Sequence, residues 1–539
     1  MHMLPLQERT LARLLRTRAK EHADKTFLIY YGERFSYAQA YEQSCRIAAG
    51  LLKAGVQPQQ HVAIMMENRP ETVWLNFALG LIGAVAVPIN NASRGDMLTY
   101  FLRQSDSVAL VIDEAFMERF SMVASGAPSL KIVVAGPDGT LSNDAALAGH
   151  DLQRVRWNDV LNTDLLPDDA PEPAYSDLLQ ILYSSGTTGS PKGSMIANAT
   201  AIRAAYKHVE VYGYNADDVM YTCLPMFHGN AVNCTVLPAL MAGATVALSR
   251  RFSTSKFWCE INDTGATRTS LLSAMINFLW LKERSDEERS HRLKTCLVVP
   301  APEFALEFEE RFNVRITSLY ALGDFGYATM YGPDEPREKI RSAGKPVPEV
   351  QVAILDEHDQ PVPQGEIGQI CLRSNEPWFG RQGYYKLPEL WVPSLRNLWL
   401  HTGDMGRFDE DGYLYFAGRS KEMIRRRGEN ISALQVEEVI RRHPQIADVA
   451  VYAVRAEFLE DEVMASVVPR EGCELDPEEL VRFCAPHMAY FMVPRFVEVL
   501  PELPMTQTGK VEKYKLRDAA EPRLKEVWDR EQHGIELEK

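Results

Sequence analysis

The chain has 539 residues, of which 46% are hydrophobic and 24% are charged. These values are those of ordinary globular proteins, and they exclude a disordered chain, a collagen-like repeat and a coiled-coil rod. The length predicts roughly three to five structural units. The 73 acidic side chains outnumber the 58 basic ones and leave a formal charge of -15, which excludes a surface that attracts nucleic acid as a whole.

Eight cysteines are spread through the chain, without a Cys-x-x-Cys pair or a cysteine and histidine cluster at the spacing of zinc ligands. We therefore expect reduced thiols and a cytoplasmic protein. The first residues lack the basic and apolar stretches of a signal peptide, and the apolar run at 75–88 is shorter than the about 20 residues that cross a bilayer. We expect no stable membrane anchor.

The first half of the chain alternates between helical and strand-like patterns. The predicted elements are a helix at 38–52, a strand at 61–65, a helix at 70–81, a strand at 85–88, a helix at 97–104 and a strand at 109–112. This alternation favours a parallel sheet covered on both faces, which is an α/β architecture. Between 128 and 173 the composition turns to Asp, Pro, Asn and Gly, which predicts a surface excursion before a buried strand at 177–183.

The second half of the chain contains two further groupings. Short strand-like runs at 350–355, 369–373 and 413–417 are separated by Gly, Pro and Asp turns and predict a β-rich subdomain at about 345–419. From 433 onward, helical and strand-like stretches predict a small α+β domain. Its predicted elements are a helix at 434–442, strands at 446–454 and 462–468, and a helix at 477–484.

The stretch YSSGTTGSPKG at 183–193 directly follows the predicted buried strand. Glycines let backbone N–H groups converge on anionic oxygens, hydroxyls add donors and a lysine adds positive charge, so this stretch is typical of a phosphate-binding loop. The candidate residues are Ser184, Ser185, Gly186, Thr187, Thr188, Gly189 and Lys192. Pro191 and Gly193 flank the lysine, which excludes the Walker A motif. The alternative interpretation is a flexible surface loop.

Two further polar turns lie later in the chain. In LHTGD at 400–404, Asp404 follows a Thr-Gly turn and is suited to accept hydrogen bonds from vicinal ribose hydroxyls. In PMTQTGK at 504–510, a Thr and Gly turn ends in Lys510. Taken alone, the Asp404 stretch is also explained by ordinary turn chemistry. The Lys510 stretch, taken alone, is also explained by a solvated surface lysine.

Taken together and in this order, the three stretches resemble the AMP-forming acyl-CoA synthetases of the adenylate-forming superfamily, which also contains luciferases and the adenylation domains of peptide synthetases. The resemblance covers about residues 10–520, and GEIG at 365–368 and GYY at 383–385 add to it. The C-terminal motifs, with RGEN at 427–430, look most similar to crotonobetaine/carnitine-CoA ligase-like members. Their substrate is not carried over, because a trimethylammonium group needs an aromatic or acidic cage that we do not find in the sequence.

The resemblance implies roles for individual residues. The loop at 184–193 would bind pyrophosphate, Asp404 would hold the ribose hydroxyls, and Arg419 would approach the ribose or a phosphate. Lys510 would bridge the carboxylate and the α-phosphate during adenylation. His228 would border the acyl pocket, although a histidine in a turn after a strand is the alternative interpretation.

The resemblance also implies a division of the chain into an N-terminal domain at 1–419, a hinge at 420–421 and a small, mobile C-terminal domain at 422–539. Lys421 would be the hinge residue. Rotation of the small domain would bring Gly428 to the pantetheine tunnel. One small domain cannot present both Lys510 and the Gly428 loop to the same active site, so such a rotation has a mechanical reason.

One stretch departs from the family pattern Tyr-Gly-x-Thr-Glu, in which the threonine contacts the α-phosphate and the glutamate helps to hold magnesium. Here the chain has YALGD at 320–324: Tyr320 is retained, Gly323 has no hydroxyl, and the carboxylate of Asp324 is one methylene shorter. Contact with magnesium would then need a shift or a bridging water. The adenine-side segment is assigned to VVPAP at 298–302, with Ala301 as the contact.

The sequence therefore predicts an enzyme that uses ATP and Mg²⁺ to convert a carboxylic acid into an acyl adenylate and then transfers the acyl group to coenzyme A. The segments expected at the acyl pocket favour an apolar acid, although apolar residues there are also typical of plain core. These residues are Met275, Ile276, Phe278, Leu322 and Phe325. Two alternatives stay open, which are transfer to a carrier protein and a catalytically weakened nucleotide- or acyl-binding protein. A homodimer is a further hypothesis.

Overall fold

The computed structural model describes residues 3–139, 150–167, 170–183, 191–420, 423–426, 429–455, 461–488, 490–506 and 510–537. Contacts divide the chain into two compact units: Met1–Gln351 with Arg373–Ser394, and Val352–Leu372 with Leu395–Lys539. The predicted boundary at 419–422 concerns a hinge between moving parts, and it stays a prediction.

The first unit contains helices and strands in alternation. Up to the candidate phosphate loop these are α1 (Leu11–Glu21), β1 (Thr26–Tyr30), β2 (Glu33–Ser36), α2 (Tyr37–Ala54), β3 (His61–Met65), α3 (Pro70–Ile82), β4 (Val85–Pro88), α4 (Gly95–Gln104), β5 (Ala109–Ile112), α5 (Glu114–Ser121), β6 (Ile132–Ala135), β7 (Gln153–Val155), α6 (Trp157–Leu161) and β8 (Leu178–Tyr183). After the loop follow β9 (Gly193–Ala197), α7 (Asn198–Tyr212), β10 (Val219–Thr222), a π-helical turn (Ala231–Val236), α8 (Leu237–Ala242), β11 (Thr245–Leu248), α9 (Phe257–Thr264), β12 (Arg268–Leu272), α10 (Ser273–Trp280), β13 (Thr295–Val299), α11 (Ala305–Phe312), β14 (Arg315–Leu322), β15 (Gly326–Tyr331) and β16 (Lys345–Pro346).

A seven-stranded sheet forms the first layer of this unit, in the order β7-β6-β5-β3-β4-β8-β9. All neighbours are parallel except β8 and β9, which are antiparallel. Local sequence explains the helices beside it: α2 begins at a capping box between Ser36 and Gln39 and ends at Gly55, whose φ of 107° suits glycine. The predicted parallel sheet is confirmed.

A nine-stranded sheet forms the second layer, in the order β16-β15-β14-β13-β12-β10-β11-β1-β2. The six strands from β14 to β1 are parallel, and antiparallel strands complete both edges. The inner strands are short and mostly buried, as expected for strands covered on both faces. The carboxyl ends of these parallel strands therefore lie along one edge of the sheet, where open α/β sheets bind their ligands.

The predicted surface excursion at 128–173 is wrong in part, because this segment contains β6, β7 and α6. All four residues of β6 are buried, and the strand pairs in parallel with β5. The run IVVA is only four residues long and is surrounded by turn-forming residues, so the average composition of the segment hid it. Its pairing with a distant strand, and not its local context, decides its burial.

The second unit is built from smaller sheets. From residue 350 onward the elements of the chain are β17 (Val350–Leu355), β18 (Gly368–Ser374), α12 (Pro388–Trp391), β19 (Leu395–Arg396), β20 (Trp399–Phe408), β21 (Leu414–Arg419), β22 (Met423–Arg426), β23 (Glu429–Ser432), α13 (Ala433–Ile440), β24 (Ile446–Arg455), β25 (Asp461–Pro469), α14 (Pro477–Cys484), β26 (Phe496–Val499), α15 (Lys513–Ala520) and β27 (Trp528–Asp529). The helix α12 belongs to the first unit, and the other elements lie wholly or mainly in the second. Strands β17 to β21 form one sheet, β22 and β23 a hairpin, and β24 to β27 a four-stranded sheet. The predicted fold class, mixed α/β with a smaller α+β part, is confirmed.

None of the helices in the described ranges combines the length and the apolar content of a membrane-spanning helix.

The core beside the seven-stranded sheet offers a test of the fold. Phe120 on α5 is fully buried among residues of β5, β6 and α4. We predict that Phe120→Ala lowers the free energy of unfolding by about 3–5 kcal/mol, because it removes a buried ring and leaves a cavity. Urea unfolding followed by tryptophan fluorescence measures this change. The control is Met122→Ala, two residues away and 70% exposed, which we expect to have the stability of the wild type; equal stability of both variants would contradict the described packing.

Candidate active site

The candidate phosphate loop connects the antiparallel strands β8 and β9. Because β8 runs parallel to β4, the loop leaves the seven-stranded sheet at its ligand-binding carboxyl edge. Ser184, Ser185, Gly186, Thr187, Thr188 and Gly189 lie outside the described residues. The end of the loop is described, and there the carbonyl of Pro191 accepts a hydrogen bond of 2.7 Å from the hydroxyl of Tyr100.

A strand-like segment at 382–385 pairs with β9 directly after the loop. The amide of Met195 donates to the carbonyl of Gly383 at 2.9 Å, and the amide of Tyr385 donates to the carbonyl of Gly193 at 2.8 Å. On its other side β9 packs closely on β8: a side chain at Gly193 would place its Cβ 2.7 Å from Cγ2 of Ile181, so glycine suits this position. The segment that carries Tyr384 is thereby fixed beside the end of the candidate phosphate loop.

The carboxylate of Asp324 lies between these two elements. One oxygen accepts a hydrogen bond of 3.1 Å from the hydroxyl of Ser194, and the other accepts one of 2.6 Å from the hydroxyl of Tyr384. Both donors are buried, whereas Asp324 is half-buried in the turn between β14 and β15. The turn belongs to the nine-stranded sheet and Ser194 to the seven-stranded sheet, so Asp324 lies where the two sheets of the first unit meet.

Two cationic side chains accompany Asp324. The ammonium of Lys192 lies 4.9 Å from the centre of the Tyr384 ring. The Nε of Arg381 donates to the carbonyl of Gly323 at 3.2 Å. Burial lowers the pKa of Arg381 to about 10, against the opposing effect of the Asp324 charge, so the guanidinium stays protonated at neutral pH. We call Lys192, Ser194, Asp324, Arg381 and Tyr384 the Asp324 group.

Three other predicted residues lie near the carboxyl ends of parallel strands in the nine-stranded sheet. Tyr320 is buried near the end of β14 and pairs with Thr329. Ala301 is half-buried just after β13, and His228 is exposed in a turn after β10. The three positions lie on the same side of the sheet as Asp324, and the roles proposed for them stay predictions.

In the second unit, Asp404 and Arg419 occupy paired positions on β20 and β21. The Nε of Arg419 lies 2.7 Å from a carboxylate oxygen of Asp404, which is 2% exposed. The Asp404 amide donates to the hydroxyl of Thr402, and Gly403 has a φ of 72°, so the Thr-Gly-Asp turn is held by its own residues. The family resemblance implied that Asp404 holds the ribose hydroxyls and that Arg419 approaches the ribose or a phosphate, and in the structure the two side chains form an ion pair.

Lys510 belongs to the second unit and follows residues 507–509, which lie outside the described residues. Its amide donates to the hydroxyl of Thr506, and Met505 and Val511 form a β-bridge. The predicted hinge residue Lys421 and the predicted Gly428 lie outside the described residues. Lys510 belongs to the second unit, and the Asp324 group belongs to the first.

The sequence alone did not indicate Ser194, Arg381 or Tyr384 as functional residues. Ser194 directly follows the end of the loop, and Tyr384 belongs to the GYY stretch that added to the family resemblance. Neither signal predicts a contact with Asp324, because this contact depends on the pairing of segments that are almost 200 residues apart.

Comparison with known proteins gives a consistent result. Residues 15–385 match the family described as AMP-binding enzyme, and residues 435–510 match the AMP-binding enzyme C-terminal domain. The chain is 31% identical over 514 residues to the crotonobetaine/carnitine–CoA ligase of Salmonella typhimurium strain LT2, a match that covers 92% of this chain and 96% of that protein.

Solved structures show the same fold at lower identity. The anthranilate CoA ligase AuaEII in complex with anthranoyl-AMP has a TM-score of 0.85 at 24% identity, with 97% of this chain and 99% of that chain covered. The ATP-bound MatB from Rhodopseudomonas palustris has a TM-score of 0.82 at 24% identity, with 95% and 99% covered. The family match spans more than half of the sequence and agrees with the site described above: the chain belongs to the family of AMP-binding enzymes.

Proposed function

We propose that the protein is an ATP-dependent acid–CoA ligase, which converts a carboxylic acid into an acyl adenylate and then into an acyl-CoA thioester. The observation that carries the proposal is the Asp324 group, a carboxylate and two cations at the end of the loop after β8, in a chain of the AMP-binding family. Relatives named as ligases of crotonobetaine or carnitine and of anthranilate support the same reaction class.

The first half-reaction needs charge neutralisation more than covalent help from the protein. The carboxylate oxygen of the acid attacks the α-phosphorus of ATP, the bond to the bridging oxygen breaks, and pyrophosphate leaves with the electron pair. Negative charge accumulates around the phosphorus, so positioned cations stabilise the transition state. Lys192 and the loop at 184–189 are proposed to bind the leaving pyrophosphate, and Lys510 to bridge the attacking carboxylate and the α-phosphate.

The nucleoside part of ATP is proposed to bind through Tyr320, Ala301 and Asp404. Asp404 is already held by Arg419, so its orientation is fixed before the ribose arrives. A buried, fixed carboxylate accepts hydrogen bonds from two neighbouring hydroxyls without a large ordering cost.

The donor set fits a magnesium ion that is shared with the substrate. Magnesium is usually held by one or two carboxylates together with substrate phosphates, and it keeps several waters. Asp324 supplies one half-buried carboxylate whose two known partners are neutral hydroxyl groups. Among the described residues there is no cluster of three or more acidic, histidine or cysteine side chains that would form a metal site from protein ligands alone. When bound, the ion would neutralise charge on the phosphates.

In the second half-reaction the thiol of coenzyme A attacks the acyl carbon, and AMP leaves as its phosphate takes the electron pair of the broken bond. Gly428 is proposed to approach the pantetheine arm after the C-terminal domain at 422–539 has turned about Lys421. This motion would exchange Lys510 for the Gly428 loop at one site, which gives a single pocket two successive sets of residues.

We propose an apolar acid as the substrate, with His228 at the border of its pocket. Met275 and Leu322 are half-buried and are suited to line such a pocket. Ile276 and Phe325 are buried and contribute to the core, and Phe278 is 55% exposed. A homodimer stays a prediction.

The deciding experiment is pyrophosphate release from ATP and Mg²⁺ over a panel of short, long, aromatic, branched and polycyclic acids, each with and without coenzyme A. Release that requires one class of acid and increases with coenzyme A supports the ligase and identifies its substrate class. Acid-dependent release that coenzyme A leaves unchanged would favour a carrier protein as acceptor. Tight ATP binding without release for any acid would contradict the proposed function and favour a binding protein.

Lys510→Ala tests the proposed adenylation residue. We predict a loss of about 10²–10³-fold in the rate of acyl-adenylate formation, because a positive charge aimed at the developing charge would be removed. Single-turnover kinetics with radiolabelled ATP measure this rate. The exposed Lys525 provides the control, and Lys525→Ala should keep the wild-type rate. Equal rates in both variants would remove Lys510 from the mechanism.

Asp404→Asn tests the nucleotide site. We predict that the Kd for AMP rises about 10–100-fold, because hydrogen bonds to a charged group are worth about 1.5–3 kcal/mol and each 1.4 kcal/mol is tenfold. Calorimetric titration at constant salt measures the Kd. Glu410→Gln changes an exposed carboxylate six residues later and should leave the affinity unchanged. An unchanged Kd in Asp404→Asn would contradict the ribose role.

Tyr384→Phe tests the hydroxyl contact with Asp324. Without the 2.6 Å hydrogen bond the carboxylate loses one of its two supports, so we predict that the Mg²⁺ concentration for half-maximal activity rises about tenfold. The neighbouring tyrosine gives a matched control, because the hydroxyl of Tyr385 donates to Asp106. A magnesium dependence that changes equally in Tyr385→Phe would show that the effect does not pass through Asp324.

A further inference from the structure

We propose that Arg381 binds a phosphoryl oxygen of the nucleotide substrate at the Asp324 group, as a second cationic contact beside Lys192. The inference rests on the proposed function, since it assumes that ATP reacts at this site. Neither the sequence motifs nor the family resemblance indicated this residue.

The guanidinium of Arg381 is held by a backbone carbonyl and not by a carboxylate. Its Nε donates to the carbonyl of Gly323, whereas no carboxylate of the described residues forms an ion pair with it within 4.0 Å. Other arginines of the chain differ from the half-buried Arg381 in this respect: the buried Arg311 pairs with Glu288 at 2.9 Å, and the half-buried Arg495 pairs with Asp529 at 3.0 Å. A cation that the fold leaves without a carboxylate partner is suited to an external anion.

The position of Arg381 is fixed by its neighbours in the chain. The next residue, Gln382, donates its amide to the carbonyl of Met195 on β9 and its side-chain nitrogen to the carbonyl of Gly380. A contact to the Gly323 carbonyl then fixes the other end of the Arg381 side chain. An arginine held at both ends loses little conformational entropy when it binds a ligand.

The charge of the Asp324 group and the space beside Gly323 both suit an anion. Lys192 and Arg381 carry two positive charges beside the single negative charge of Asp324, so the group as a whole favours an anion. A Cβ built on Gly323 would have no atom within 4 Å, so the space next to the anchored guanidinium is open. The planar fork of an arginine presents parallel N–H donors that match two oxygens of a phosphoryl group.

A phosphoryl oxygen is the best match among the anions of the reaction. The guanidinium lies beside the Asp324 carboxylate, which is the proposed partner of the magnesium ion that the nucleotide phosphates share. Gly323 offers no side-chain donor at this place, so a donor from another segment is needed. Arg381 is the described side chain whose hydrogen bond to the Gly323 carbonyl places it there.

The experiment compares wild type, Arg381→Met, Arg381→Lys and the control Arg292→Met, which changes an exposed arginine. Single-turnover adenylation is measured with ATP and with the two diastereomers of ATPαS, in which sulfur replaces one or the other α-phosphoryl oxygen. We expect Arg381→Met to slow adenylation with ATP about 10–100-fold and to change the ratio of rates for the two diastereomers. Arg381→Lys should recover part of the rate but not the ratio, and Arg292→Met should resemble wild type.

Two results would overturn the proposal. One is an Arg381→Met variant with wild-type rate and diastereomer ratio. The other is a variant with a lower melting temperature that slows ATP and both diastereomers by the same factor, since this would assign Arg381 a structural role only.

Titration with ATP in the absence of acid separates this proposal from the proposed function. If wild type adenylates no acid, the proposed function fails, and the Arg381 contact is then tested by binding alone. We expect Arg381→Met to raise the Kd for ATP at least fivefold while Arg292→Met leaves it unchanged. Equal Kd values for the three proteins would overturn the contact, whatever the outcome of the acid panel.

Discussion

The candidate site depends on the half-buried carboxylate of Asp324 and on the two hydroxyl groups that hold it. Removing a carboxylate from water is costly unless hydrogen bonds or opposite charges replace the lost hydration. Asp324 is supported by two hydroxyl groups, from Ser194 and Tyr384, and these are neutral. Neutral donors orient both oxygens without cancelling the charge. The negative charge thus remains for a cation that arrives with the substrate, which a direct ion pair with Arg381 would prevent.

This support depends in turn on a close approach of two backbones. Ser194 lies on β9, and Tyr384 lies on the segment that pairs with β9 through hydrogen bonds at Gly193 and Gly383. The absence of a side chain at Gly193 allows β9 to pack closely on β8, since a Cβ there would collide with Ile181. Gly193, whose place after Lys192 excluded the Walker A motif, therefore has a structural reason to be glycine.

Most of the regular structure could be predicted from the sequence, because hydrophobic patterning and turn residues act locally. The strand β4 at Val85–Pro88 and the helix α14 at Pro477–Cys484 coincide with the predicted ranges. Where a short element depends on distant partners, local patterning fails. β6 is the example: four apolar residues among turn formers became a buried strand because β5 was available for pairing.

The same distinction applies to the site. Short-range motifs indicate the position of the loop after β8. They also indicate Asp404 and Arg419, which the antiparallel pairing of β20 with β21 places opposite each other. Ser194, Arg381 and Tyr384 are close to Asp324 only through tertiary pairing, for which the sequence carries no local signal. Such residues are identified from tertiary contacts, which here are the hydrogen bonds to Asp324 and to the Gly323 carbonyl.

The contacts of Gly323 and Asp324 change the interpretation of the stretch 320–324, which departs from the family pattern. In the sequence, Gly323 and Asp324 suggest a weakened site, because a hydroxyl is lost and a carboxylate is shortened. In the structure, the hydroxyl groups of Ser194 and Tyr384 hold the shorter carboxylate of Asp324. The guanidinium of Arg381 donates a hydrogen bond to the carbonyl of Gly323, the residue without a side chain. Donors and charge are thus supplied from different positions, which supports retained chemistry over a binding protein. Ser194, Tyr384 and Arg381 should therefore be interdependent with Asp324, and combinations of their substitutions should have non-additive effects on adenylation, as expected for residues that contact Asp324 or the neighbouring Gly323.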